Sequence, residues 1–331
     1  MRQGRVSWPS FILYYCFVEQ FMKIVFMGTP EAAAVSLERL TQEGHEIAAV
    51  YTQPDKAAGR GNKLTQSAVK SLALERGLRI CQPTKLRTPE ASEEFRSFAA
   101  DVAVVVAYGR ILPATFLDAF PMGAINVHFS LLPRYRGAAP VNWAIVNGES
   151  RTGVTTMQMD AGLDTGPILM QAETDIGRDE TAIELMERLS VIGAETLVDT
   201  LTKFRELSPL PQDESLASYA PIMKKGDGSI SWTLDAKEIA NRVRGFQPFP
   251  SAFTSFRGKQ LTIWKAVPEI FDREAAHHGE IICLTTDSFS VYCGGHSALR
   301  IEEVQPEGKR RMTARDFING SRPIVGDTLG T

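Results

Sequence analysis

The run Val102-Ala-Val-Val-Val-Ala107 is apolar at every position. A strand with one wet face alternates apolar and polar residues, so an unbroken run predicts a strand covered on both faces, as in the middle of a parallel sheet. Strand and helix signals alternate outward from it. Upstream, residues 23–28 read as a buried strand, and a helix over 31–43 starts behind Pro30 and stops at Gly44. A strand over 46–51 and a polar, glycine-bearing loop over 53–65 come next. A helix over 67–76, a short strand over 78–81 and helices over 89–99 and 113–120 complete that side. Downstream, strands over 124–127, 152–159 and 168–173 precede a long amphipathic helix over 180–206. This alternation predicts an α/β, Rossmann-like, mostly parallel sheet with helices on both faces.

A chain of 331 residues is long enough for about two domains. Composition shifts at residues 208–228, where Ser208-Pro-Leu-Pro-Gln-Asp-Glu-Ser215 reads as a linker. Residues 22–207 are then a catalytic domain and 229–331 a second domain. Within the latter, a helix over 235–244 and short strands over 252–256, 260–266, 279–285, 290–293 and 299–304 predict a small OB-like barrel. Residues 1–21 do not share this patterning and read as an extension outside the fold. Their apolar run, 11–18, is too short to span a bilayer. Lys and Arg number 36 against 39 Asp and Glu, so no global basic field draws in nucleic acid, and any such contact needs a local patch. Four scattered cysteines with no metal-ligand spacing favour a reducing, cytoplasmic setting.

The first turn, Gly28-Thr-Pro-Glu31, has one glycine where a dinucleotide fingerprint needs three, which argues against NAD or FAD. More informative is Ala124-Ile-Asn-Val-His-Phe-Ser-Leu-Leu-Pro133. Asn126 and His128 are two apart and so project to one face of a strand. That strand ends where open α/β sheets build their sites. Alone, a buried histidine is more often structural. Asp160 and Asp164 bracket a glycine-bearing loop, and turn formation accounts for aspartates there. If Asp164 meets His128, however, an amide, an imidazole and a carboxylate converge. Such a group suits acyl transfer to an amine, with an oxyanion stabilised by Asn126 and His128 and protons moved by Asp164.

These stretches resemble the methionyl-tRNA formyltransferases, a branch of the folate-dependent formyltransferases. The resemblance is carried by Gly28-Thr-Pro-Glu31, Gln53-Pro-Asp-Lys-Ala-Ala-Gly-Arg-Gly61, Val105-Val-Ala-Tyr-Gly109, Ile125-Asn-Val-His128, Ser130-Leu-Leu-Pro-Arg-Tyr-Arg-Gly-Ala-Ala-Pro140 and Met157-Gln-Met-Asp-Ala-Gly-Leu-Asp-Thr-Gly166. It runs from about residue 22 to the C-terminus. It implies transfer of a formyl group from 10-formyltetrahydrofolate to the methionine of initiator methionyl-tRNA, by a monomer and without metal. Asn126, His128 and Asp164 would surround the formyl carbon. Folate would be held by Ser130, Leu131, Leu132 and Pro133, with Val105, Val106, Ala107, Tyr108 and Asp160 lining the pterin site. The loop with Lys56, Arg60, Gly61 and Lys63 would enter the tRNA acceptor arm, and Lys309, Arg310 and Arg311 would offer a phosphate patch. Phe129 stands where the family has a small residue and is expected to narrow the site. An amino-sugar or glycinamide N-formyltransferase is the alternative, since it shares the Asn, His and Asp but needs no basic loop.

Overall fold

In the computed structural model, which describes residues 21–58, 63–271 and 277–330, the first strand is β1 (Lys23–Gly28), buried from Ile24 onward. Pro30 leads into α1 (Glu31–Gln42), where Ala33, Leu37 and Leu40 recur at helical spacing and pack on the sheet. β2 (Glu46–Tyr51) follows. Where the sequence reads as loop, β3 (Lys56–Ala58) and β4 (Lys63–Thr65) form a small antiparallel hairpin. Ser67 caps α2 (Ala68–Glu75), which precedes β5 (Ile80–Cys81), and Thr88 caps α3 (Pro89–Ser97). β6 (Val102–Val106) is buried at all five positions. The helix expected over 113–120 shrinks to one turn, α4 (Ala114–Leu117), before β7 (Ala124–His128). Then come β8 (Arg136–Gly137), α5 (Pro140–Val146), β9 (Arg151–Gln158), β10 (Ile168–Asp175) and α6 (Ala182–Lys203). Thr181 and Glu184 close a capping box at the start of α6.

The sheet order is β10-β9-β7-β6-β1-β2-β5. From β7 to β5 the strands are parallel, whereas β7–β9 and β9–β10 pair antiparallel. The chain runs outward from β1 through β2 to β5, then returns to β6 on the other side. That reversal opens a crevice beyond the carboxyl ends of the central strands.

A two-residue strand, β11 (Tyr219–Ala220), pairs with β8, and α7 (Ala236–Gly245) follows. β12 (Ala252–Phe256), β13 (Lys259–Ile270), β14 (Ile281–Leu284), β15 (Phe289–Cys293), β16 (Ser297–Pro306) and β17 (Met312–Thr313) form an antiparallel sheet, followed by α8 (Ala314–Ser321). β13 and β16 are long because register shifts near Lys265 let them bend. Bridges from Leu329 to Phe256 and from Thr328 to Glu280 close the two edges of this sheet into a barrel. Its apolar interior is separate from that of the first sheet. The two halves meet where Asn142 on α5 donates to the Gly245 carbonyl at 2.7 Å, and Trp143 packs edge-on to Phe246. Among the described residues, no helix is long and apolar enough to cross a membrane.

Candidate active site

β7 alternates as a two-fold pleat requires. Val127 and Phe129 face α6, in the apolar core, where Gly193 lets the helix approach. Asn126 and His128 take the other side, both buried, opposite Met157 and Thr155 of β9. Phe129 therefore lies in the core on the far side of the strand, not across the mouth of the site as its size suggests.

Nε2 of His128 donates to the Tyr135 carbonyl at 2.9 Å, and Nδ1 lies 3.7 Å from Oδ2 of Asp164. That oxygen also accepts a 2.8 Å hydrogen bond from the Gly137 amide. Both ring nitrogens thus face oxygen. Asn126, 8% exposed, forms no side-chain hydrogen bond among the described residues. Three non-glycine residues here are left-handed: Ala107 at φ 45°, Tyr135 at φ 61° and Asp164 at φ 55°. Each costs roughly 1–2 kcal/mol, so the surrounding contacts must hold them. Gly137 has no alternative. At φ 118° a Cβ there would stand 2.7 Å from the Ala220 carbonyl oxygen.

The Ser130–Pro133 turn is held from β9 and β10. The Thr155 hydroxyl donates to the Ser130 carbonyl at 2.7 Å and accepts from the Leu132 amide at 3.1 Å. Gln171 Nε2 donates to both the Leu132 carbonyl and the Thr155 hydroxyl at 2.9 Å. Neither residue carries a sequence signal beyond lying on a strand.

The segment read as linker is woven into this site. Leu210 and Ile168 exchange backbone hydrogen bonds at 2.8 Å. Gln212 Nε2 donates to the Asp164 carbonyl at 2.8 Å and the Gly166 carbonyl at 2.7 Å. Gln212 Oε1 in turn accepts from Arg136 Nε at 3.0 Å and Nη2 at 2.8 Å. The Arg136 side chain is wholly buried, and its remaining edge forks onto Glu214 with both bonds at 2.8 Å. That fork holds the Glu214 carboxyl below its ordinary range. Sequence reasoning missed Gln212 and Glu214.

The other candidates divide. Val105 and Val106 are buried in β6. The Tyr108 ring packs into the core, where burial pushes its phenol up to about 12 and its hydroxyl has no partner among the described residues. Asp160 is exposed and forms a turn, accepting from the Gly162 amide at 2.9 Å and the Thr165 hydroxyl at 2.7 Å. Lys56 is exposed, while Arg60, Gly61 and the Lys63 side chain lie outside the described residues. Lys309 and Arg310 are exposed, but Arg311 is paired with Glu303 and lies over the Trp264 ring.

A family described as formyl transferase matches residues 22–201, and its C-terminal domain family matches 222–322. The chain is 49% identical over 311 residues to the methionyl-tRNA formyltransferase of Solibacter usitatus, covering 93% of this chain and 99% of that one. Identity to the enzyme of the same name from Geobacter metallireducens is 47% over 311 residues, with the same coverage. Among solved structures, HypX from Aquifex aeolicus in complex with tetrahydrofolic acid has a TM-score of 0.62 at 16% identity, over 93% of this chain and 49% of that one. The N-formyltransferase from Helicobacter canadensis, in complex with folinic acid and dTDP-3-aminofucose, has a TM-score of 0.64 at 19% identity, over 87% of this chain and 100% of that one. Those two show a shared fold. With both family matches in order and nearly half the residues identical along almost the full length of its relatives, the chain belongs to the methionyl-tRNA formyltransferase family.

Proposed function

We propose that this chain transfers the formyl group of 10-formyltetrahydrofolate to the α-amine of methionine on initiator methionyl-tRNA. The observation that carries the reading is the approach of Asp164 to within 3.7 Å of His128 at the carboxyl end of β7, with Asn126 two residues before His128 on the same strand. The Asn126 amide, buried and without a side-chain hydrogen bond among the described residues, fits a formyl oxygen. The amine nitrogen bonds to the formyl carbon and pushes the carbonyl electron pair onto oxygen. The bond to the folate nitrogen breaks as the carbonyl re-forms. Asn126 and His128 donate to the developing oxyanion, Asp164 accepts the amine proton, and a proton passes to the departing nitrogen. The turn of Ser130, Leu131, Leu132 and Pro133 would hold the folate, and the backbone at Ala107 and Tyr108 would edge the pterin.

In this reading the tRNA is met by Lys56, Arg60, Gly61 and Lys63 of the segment over 53–65 and by Lys309 and Arg310 on the barrel. Arg311, already paired, contributes less. The protein acts as a monomer in the cytosol, with a catalytic domain over 22–207 and a tRNA-binding domain over 229–331. Purified protein should formylate methionyl-tRNA and ignore free amino-sugars. Replacing His128 with Ala should lower kcat by ~10²-fold or more. Turnover on an amino-sugar with none on charged tRNA would decide for a small-molecule enzyme.

A further inference from the structure

The catalytic carboxylate in the proposed reaction is not held by its own loop alone. Asp164 sits in a left-handed conformation, and its neighbour Gly166 crosses so near the Gln158 carbonyl that a Cβ would stand 1.8 Å from it. Both carbonyls that flank the turn, those of Asp164 and Gly166, accept from the single amide nitrogen of Gln212. The amide oxygen of Gln212 is fixed by two N–H groups of the buried Arg136. A primary amide with two donors and one acceptor engaged this way has one orientation available. Residue 137, next to Arg136, supplies the amide that takes Oδ2 of Asp164. The same short strand therefore holds the aspartate side chain directly and its backbone through Gln212.

We infer that Gln212 is a positioning residue for the reaction. It fixes the Asp164 turn so that the carboxylate stays 3.7 Å from His128, with Arg136 setting its orientation. Gln212 is 48 residues from Asp164 in sequence and lies on the segment that leads to the barrel. The strap joining the two domains is thus part of the catalytic geometry. This inference rests on the reading of Asp164 as the proton acceptor, and the test separates the two.

Two variants are informative on full-length protein. Gln212→Met keeps the side chain's length and removes every polar contact. Gln212→Glu keeps the acceptor that Arg136 uses, and with it the anchor of the strap, while losing both donors to the Asp164 turn. Each should lower kcat by ~10-fold or more, the scale of a sub-ångström to ångström misplacement of a reacting group. KM for folate and for methionyl-tRNA should stay within about twofold, because both ends of the Gln212 amide are already engaged by Arg136, Asp164 and Gly166. A purely structural role would lower the thermal midpoint without this split. In the double variant Asp164→Asn, Gln212→Glu, turnover should fall no further than in Asp164→Asn alone. If Asp164→Asn is crippled and folded Gln212→Glu turns over normally, the inference falls and the reading of Asp164 stands. If the double variant shows the product of both losses, Gln212 acts on something else and the inference is overturned. Near-normal turnover by Asp164→Asn would remove the reading and the inference together.

Discussion

Replacing Arg136 with Met isolates what a wholly buried guanidinium does beside a reaction site. Methionine retains the length of the stem and most of its volume, so the core beneath should stay filled. Four N–H···O contacts disappear, two to Gln212 and two to Glu214. Glu214 is 69% exposed and simply returns to water. Gln212 is half-buried and loses both donors to its amide oxygen. An acceptor orphaned in that way costs about 1–3 kcal/mol, with partial exposure placing this one toward the lower end. Removing a desolvated cation offsets a part of that. The net expectation is a destabilisation of about 1 kcal/mol, and at ~2–4 °C per kcal/mol for a large domain the melting transition should fall by ~2–4 °C. Differential scanning calorimetry reads the shift, and formyl transfer to methionyl-tRNA reads the consequence for Asp164. Arg136→Lys should fall between the two proteins, because one ammonium cannot serve Gln212 and Glu214 with a planar fork. A transition that stays in place or rises in Arg136→Met, with turnover unchanged, would show that the fork neither stabilises the fold nor serves the chemistry.

Thr155→Val preserves shape but removes the hydroxyl that ties the Ser130 carbonyl, the Leu132 amide and the Gln171 amide together. It should lower stability by about 1–3 kcal/mol and raise KM for folate more than it lowers kcat, and equal KM values in a steady-state assay would contradict this. Acid should weaken the start of α6 through Glu180. Burial alone would raise that carboxyl, but the Arg188 fork at 3.0 Å, the Gly177 amide at 2.8 Å and the Arg188 and Arg244 charges bring it below its ordinary value of 4.5. A folded value below the unfolded one means the stabilisation is complete above pH 4.5 and is lost as pH falls through the folded value. Arg188→Met should therefore flatten the decline of the melting temperature below pH 4.5, and parallel declines would refute the linkage.

How far this molecule can be read from its sequence depends on how local each determinant is. The buried run at Val102 marks a central strand because solvent exclusion on both faces leaves a mark on consecutive residues. The common face of Asn126 and His128 follows from a period of two. The same period places Phe129 with Val127 in the core, so its harmlessness was readable too. Strand direction is not local: the apolar pattern of β9 and β10 is the same whether they run parallel or antiparallel. The barrel itself is legible in its run of short strands, but the segment that closes it is not, because closure depends on Thr328 and Leu329, which bridge strands far back in the chain.

The polar lattice around the site is the extreme case. Arginine is rarely buried completely, so Arg136 looks like a surface residue until Gln212 and Glu214, 76 and 78 residues away, are brought beside it. Gln-Asp-Glu-Ser, read alone, is a solvated linker. The two aspartates show why residue type was not enough. Asp160 and Asp164 flank one loop, and turn formation is the ordinary account of both. That account holds for Asp160, whose carboxylate closes on its own loop at Gly162 and Thr165. It fails for Asp164, because a left-handed backbone there swings the carboxylate out of the loop to the Gly137 amide and the edge of His128. The backbone conformation that separates their roles is held by partners 27 and 48 residues distant. A reader of the sequence can therefore name a side chain that comes to face His128, while what aims it becomes visible only when the chain has folded back on itself.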